Sequence, residues 1–274
     1  MIRKFAARGG AACDRKETTM NVRPRKPGEF CWFNLMTPQP TEARAFFAQL
    51  FGWTYVEIPD VGHVAQVAGH AVGGVFDLAT SPAPPGTPPH IGVLVHVTDA
   101  DATAARVREL GGTARPPFDV MQQGRMAVCV DPTGAHFDLW QPKLGQPTDV
   151  DASLHGAPSW FEAISTDIVR ATAFYTALFG WTADAMTMPE FTYTVFKQGE
   201  TMVGGLMPVL PDMGNPPSHW GVYFTVRDCD ATAREATALG ATLCVPPRDI
   251  PNVGRFCGIV SPQGVVFYAI TYSA

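Results

Sequence analysis

Two carboxylates interrupt apolar, strand-like runs: Glu162 within Trp160-Phe161-Glu162-Ala163-Ile164, and Asp138 within Phe137-Asp138-Leu139-Trp140. An acid placed among apolar neighbours loses hydration, its pKa rises, and it becomes a candidate general base or acid. Side chains two apart on a strand share a face. Asn34 therefore faces with Trp32, Glu162 with Trp160, and His136 with Asp138, while His90 and His219 share the faces of Gly92 and Gly221. Tyr223 and Tyr268 fall on the same parity in the second half of the chain. The candidate catalytic groups are Glu162, Asp138 and His136. The candidate ligand-binding groups are Trp32, Asn34, His136 and Asp138 in one half, and Trp160, Glu162, His219, Tyr223 and Tyr268 in the other. Aromatic walls around one carboxylate suit a flat, partly polar or cationic molecule, although aromatic stripes also fill cores. The second half is expected to hold the better-formed pocket. His90, His136 and Asp138 could together hold a metal ion, with satisfied or solvent-facing histidines as the alternative. Arg125 and Arg255 each follow a glycine; they would meet either an anionic ligand or a nearby carboxylate. His63 and His70 carry no readable role, and no Ser-His-Asp order, phosphate loop or dinucleotide glycine pattern is present.

These residues are positioned by a repeat. Residues 32–53 and 160–181 match at an offset of 128 (160 − 32), including Leu-Phe-Gly-Trp at 50–53 and 178–181. Each copy reads as a strand, a break and a helix. Ala43, Phe46, Phe47, Leu50 and Phe51 give the helix an apolar stripe at i, i+3, i+4, i+7 and i+8. Gly52 and Gly180 stand where a left-handed residue ends a helix. Trp53 and Trp181 then open the next strand and are expected in the core. Short strands follow near 53–58, 63–68 and 71–78, the last carrying Val72-Gly73-Gly74, echoed by Val203-Gly204-Gly205. After a Pro-rich connector, a related unit begins: strand 90–99, helix 100–110 with Asp99 as N-cap, and Gly111. Its partner is strand 219–228, helix 229–239 and Gly240. Asp131-Pro132-Thr133-Gly134 and Ser261-Pro262-Gln263-Gly264 turn each chain half into its closing strand. The chain is thus α+β, with four βαβββ units paired as 30–142 and 158–272, and 143–157 as linker.

The remaining composition narrows function by exclusion. The net charge is −5 with scattered Lys and Arg, which disfavours a nucleic-acid partner. No apolar run reaches the roughly 18–20 residues of a membrane span, and no signal peptide is readable. Six cysteines without paired spacing read as buried thiols of a cytoplasmic protein. Residues 1–29 are basic and aperiodic and read as a disordered tail. Arg15-Lys16-Glu17 can be encoded by a purine run resembling a bacterial ribosome-binding site, so translation is expected to start at Met20, leaving 1–19 untranslated.

The strand followed by A-x-x-F-[FY]-x-x-L-F-G-W, with the D-P-x-G turn before the last strand, resembles the vicinal-oxygen-chelate superfamily of glyoxalase I, bleomycin-resistance proteins and extradiol dioxygenases. His219-Trp220, Pro246-Pro247 and Gly254-Arg255-Phe256 make the tandem layout similar to actinobacterial proteins labelled hydroxylases or glyoxalase-like antigens. The resemblance implies curved mixed sheets with helices on their outer side and metal ligands at fixed strand positions. Those positions here hold Trp32, Gly92, Trp160 and Gly221, with Asp138 and Tyr268 in the closing strands. Indole and glycine offer a divalent ion no lone pair. The expected function is therefore a metal-free small-molecule-binding protein, monomeric or homodimeric, with an aromatic-lined pocket in each domain. The alternative is a lyase, isomerase or hydroxylase using Glu162 or Asp138 as base, with a divalent metal as its possible cofactor. A third reading makes one domain a structural copy that serves assembly.

Overall fold

A computed structural model describes residues 23–81, 83–144, 150–188 and 190–273. The expected start at Met20 lies outside them. The first half runs β1 (Phe30–Thr37), α1 (Pro40–Phe51), β2 (Thr54–Ile58), β3 (Gly62–Val67) and β4 (His70–Asp77). It continues through β5 (His90–His96), α2 (Ala100–Glu109), β6 (Thr113–Ala114), β7 (Phe118–Val120), β8 (Gly124–Val130) and β9 (His136–Pro142). The second half repeats the order: β10 (Pro158–Ser165), α3 (Ile168–Phe179), β11 (Thr182–Thr187), β12 (Thr192–Gln198) and β13 (Thr201–Pro208). Then come β14 (His219–Thr225), α4 (Cys229–Ala238), β15 (Thr242–Ile250), β16 (Gly254–Val260) and β17 (Val266–Tyr272). Gly52 and Gly180 both end their helices at φ 70°, a left-handed conformation that glycine enters without a Cβ clash. Asp99 and Asp228 cap α2 and α4 by accepting from Ala102 N and Ala231 N at 2.9 Å, satisfying one of the orphan amides of each helix start.

Each half forms one mixed sheet, ordered β2-β3-β4-β1-β5-β9-β8-β6 in the first and β11-β12-β13-β10-β14-β17-β16-β15 in the second. At the centre, β1 lies parallel to β4 and antiparallel to β5; β10 does the same with β13 and β14. The helix-bearing faces meet. Phe30 stacks on Phe161 at 4.4 Å, Phe47 of α1 packs on Phe267 at 5.0 Å, and Phe174 of α3 on Phe137 at 5.9 Å. One buried aromatic core thus serves both halves, and the opposite face of each sheet is left for other work.

The segments before β1 and β10 join the two halves reciprocally. Trp53 Nε1 of the first half donates to Gly156 O at 2.8 Å, and Trp181 Nε1 of the second donates to Gly28 O at 2.8 Å. Residues 23–29, expected in a disordered tail, are instead anchored. Gly28 N donates to His96 O at 2.7 Å, His96 Nδ1 meets Arg25 O at 2.9 Å, and buried Glu29 pairs with Arg23 at 2.7 Å. The end of the expected linker packs in the same way: Gly156 N donates to Thr225 O at 2.8 Å, and Val150 and Ala157 are buried. The signal missed here is backbone pairing, which side-chain periodicity does not register. Among the described residues, no helix is long and apolar enough to cross a membrane.

Candidate functional site

On the outward face of the first sheet, Trp32, Asn34, Phe76, Gly92 and Asp138 are all half-buried. Strand alternation puts them there, because Phe33, Leu35, Val93 and Leu139 point into the shared core. Trp32 Nε1 donates to Asn34 Oδ1 at 3.1 Å, and the amide nitrogen of Asn34 has no partner among the described residues. Asn34 lies opposite Gly74 in the sheet and opposite Gly92 on its other side. The Phe76 ring lies where a Cβ on Gly74 would stand. At Gly92 no ring intrudes: a Cβ there would have Asp138 Oδ2 as its nearest neighbour, at 3.7 Å.

The Asp138 carboxyl accepts no hydrogen bond from the described residues. Solvent touches the side chain, yet the carboxyl sits deep among protein atoms, and this burial pushes its pKa up to about 7 against the opposing field of Arg115. Near neutral pH both the acid and the carboxylate are within reach, which suits a group that accepts and returns a proton. His136 stands at the exposed start of β9 and is held below its ordinary value by surrounding protein, then by His90 and Arg115.

The matching face of the second sheet is packed. Glu162, Tyr223 and Tyr268 are 6%, 5% and 6% exposed. Both carboxylate oxygens of Glu162 accept tyrosine hydroxyls at 2.7 Å, Oε2 from Tyr193 and Oε1 from Tyr223. Trp160 Nε1 in turn donates to Tyr193 Oη at 2.8 Å. Burial still outweighs these two bonds and the field of Arg248, so the pKa of Glu162 is raised. Tyr223 stacks on Tyr268 at 4.6 Å, and Arg248 lies over the Phe256 ring at 5.1 Å. Two glycines make this closure possible: a Cβ on Gly205 would collide with Tyr193, and one on Gly221 would come within 2.6 Å of Tyr268. Trp160, Glu162, Tyr223 and Tyr268 do come together, but as a filled cluster rather than the better-formed pocket expected. Tyr193 closes it and was not among the sequence candidates.

Other candidates take structural roles. His90 and His219 each direct Nδ1 at the carbonyl two residues back, Pro88 O and Pro217 O, at 2.8 Å. Arg125 grips Asp101 through Nε and Nη2 at 2.6 and 2.9 Å and reaches Asp119 at 3.1 Å. Arg255 repeats the fork on Asp230 at 2.6 and 2.9 Å and on Asp249 at 3.0 Å. The carboxylate reading of these arginines therefore replaces the anionic-ligand one. Among the described residues no three His, Cys, Asp or Glu converge as metal ligands, so His90, His136 and Asp138 do not assemble the proposed cluster.

Two mixed sheets, each built from a duplicated strand–helix–strands unit, define the glyoxalase-like class. Residues 32–140 match the family described as Glyoxalase-like domain, and residues 158–267 match the Glyoxalase/Bleomycin resistance protein/Dioxygenase superfamily; the chain belongs to this superfamily. It is 37% identical over 246 residues to CFP32 of Mycobacterium tuberculosis, which carries a glyoxylase designation, covering 86% of this chain and 92% of that one. It is 33% identical over 259 residues to the anthracycline biosynthesis protein DnrV of Streptomyces peucetius, covering 89% and 93%. In fold it is similar to a Mn(II)-bound glyoxalase from Novosphingobium aromaticivorans (TM-score 0.63, 16% identity, 90% of this chain and 82% of that one). It is also similar to homoprotocatechuate 2,3-dioxygenase from Brevibacterium fuscum in complex with 3,4-dihydroxyphenylacetate (TM-score 0.64, 13% identity, 92% and 82%). A divalent ion of the kind the first of these holds does not fit the present residues. Trp32, Gly92, Trp160 and Gly221 supply no ligand atom, and Asp138 and Tyr268 lie on different sheets.

Proposed function

We propose that the chain is a metal-free, cytoplasmic small-molecule-binding protein of this superfamily. Its ligand, a flat aromatic molecule, rests on the first-half face against Trp32 and Phe76, with Asp138 as polar anchor. The observation that carries this reading is the unpaired Asp138 carboxyl beside the gap at Gly92. A half-buried carboxyl without a protein donor keeps both oxygens open to a ligand hydrogen bond. The name of the Streptomyces relative supports the ligand class, since anthracyclines are flat fused-ring molecules. The second-half cluster of Trp160, Glu162, Tyr223 and Tyr268 is then a stabilising counterpart, and binding is one ligand per chain. Neither nucleic acid nor membrane takes part, and the protein works as a monomer or homodimer.

Titration of intrinsic tryptophan fluorescence with planar hydroxylated aromatics tests this. Trp32→Ala and Asp138→Asn should each weaken binding about 10-fold or more, whereas Trp160→Ala should leave affinity within about 3-fold. Equal affinity in the parent and both first-half variants would refute the assignment.

A further inference from the structure

We propose that the first-half face also catalyses metal-free proton transfer on ketones that carry an aryl group on the α-carbon, with Asp138 as the base and Asn34 as the donor that holds the developing oxyanion. The proposal rests on the ligand site assigned above. Three features of the geometry carry it. The Oδ1 atom of Asn34 is occupied by Trp32 Nε1 at 3.1 Å, so its amide N–H groups, which have no partner among the described residues, are left for a ligand oxygen. Asp138 is likewise without a donor. Both side chains border the same gap: a Cβ on Gly92 would lie 3.7 Å from Asp138 Oδ2 and 3.9 Å from Asn34 Cβ.

A ketone whose oxygen accepts from Asn34 Nδ2 presents its α-carbon to the remaining side of that gap, where the carboxylate stands. Asp138 takes the α-proton and the C–H electron pair becomes the C=C bond. The carbonyl π pair moves to oxygen, where the Asn34 N–H donates to it. In D₂O the protonated Asp138 trades its proton for a solvent deuteron and delivers that deuteron to carbon, giving exchange, or it delivers the proton to oxygen, giving the enol tautomer. No oxidant, reductant or further reactant enters. Trp32 and Phe76 supply the aromatic contact that holds the ring, and an aryl group on the α-carbon acidifies its C–H by conjugating with the enolate that forms. The second-half face cannot perform this step as folded, because both oxygens of Glu162 are taken by Tyr193 and Tyr223, and Tyr268 covers Gly221.

The probe is 2-tetralone in D₂O with the full chain. Proton NMR follows loss of its benzylic α-proton signal, and tryptophan fluorescence measures its binding in the same samples. The expected result is exchange about 10²-fold faster than in buffer carrying an equal concentration of acetate. Asp138→Asn should abolish the acceleration, Asp138→Glu should restore part of it, and Asn34→Ala should lower it by about 10-fold or more. Circular dichroism establishes that each variant is folded. Binding of 2-tetralone without accelerated exchange, or full acceleration in Asp138→Asn, overturns the catalytic proposal and leaves the ligand site standing. Neither binding nor exchange, with no planar aromatic bound either, removes both.

Discussion

On the first outward face, Asn34 and Asp138 flank a gap at Gly92; on the second, the same three positions hold Glu162, Tyr268 and Gly221, and the Tyr268 ring occupies the gap. The charge has moved from the closing strand to the opening strand. With it the surroundings changed: Glu162 has two tyrosine donors, whereas Asp138 has none. Beside the opening strand, Phe76 lies over Gly74 in one half while the Tyr193 hydroxyl lies over Gly205 in the other. The comparison teaches that one backbone can keep an acid in its sheet in two ways. Supplying the acid with donors stabilises the fold, and leaving it unpaired keeps a binding capacity at some cost in stability.

The sharpest way to break this contrast is to add one methyl group to each half. Gly221→Ala should destabilise by about 2–3 kcal/mol, because the Tyr268 ring has no room to retreat in a packed cluster. Gly92→Ala should change stability by less than about 1 kcal/mol, since glycine inside a strand is already unfavourable and the added Cβ meets its neighbours only at ordinary van der Waals distances. It should nonetheless weaken ligand binding by filling the gap. Thermal unfolding of both variants decides this, and equal losses would mean the two faces are equally packed. Removing a donor comes next: Tyr223→Phe should cost about 1–3 kcal/mol by leaving Glu162 Oε1 unsatisfied. If Tyr223→Phe unfolds at the parent temperature, the Glu162 cluster does not contribute as described.

The pH dependence follows from Asp138. Its folded pKa of about 7 lies above the ordinary carboxylate value, so protonation favours the folded state. The stability it contributes is present below about pH 4 and is lost as pH rises through about 7, roughly 1–3 kcal/mol allowing for the solvent that reaches the side chain. The raised pKa of Glu162 acts in the same direction. Asp138→Asn should therefore flatten, without abolishing, the fall in urea-unfolding free energy between pH 5 and pH 8. A slope unchanged in the variant would place the titration elsewhere. The smallest effect expected is symmetric: Arg125→Lys and Arg255→Lys should lower the unfolding temperature by similar small amounts, because the two arginine forks match to within 0.1 Å. A marked inequality would show that the asymmetry of the halves extends beyond their outward faces.

Much of the fold was legible because it rests on local patterns that occur twice. The stripe from Ala43 to Phe51, the glycine ending each first helix, and the aspartate caps each state their structure within a dozen residues. Asp138 and Glu162 were visible as acids out of place in apolar strands. Which of the two faces stays open was not visible. The decisive residue, Tyr193, comes from β12, where the repeat has slipped: Glu162 pairs with Gly205 and Asn34 with Gly74, an offset of 131 (205 − 74) rather than 128. At that offset the counterpart of Tyr193 is Gly62, so no aligned aromatic pair drew attention to it. The anchoring of residues 23–29 was equally hidden, since backbone carbonyls accept it and any sequence carries those.

The reciprocal tryptophan bonds give the chain the character of a dimer whose subunits happen to be tethered. Trp53 belongs to one half and its acceptor Gly156 to the lead-in of the other, while Trp181 and Gly28 return the arrangement. Cut between the last strand of the first half and that lead-in, the two pieces would each keep a sheet but lose the partner that covers its phenylalanines. Mixed, they should find one another and restore both indole bonds. A protein built this way can accumulate unequal changes on its two outward faces while the interior that joins them stays self-complementary. A single gene thereby gains what a homodimer of identical subunits cannot have, one face closed by its own side chains and one left uncovered.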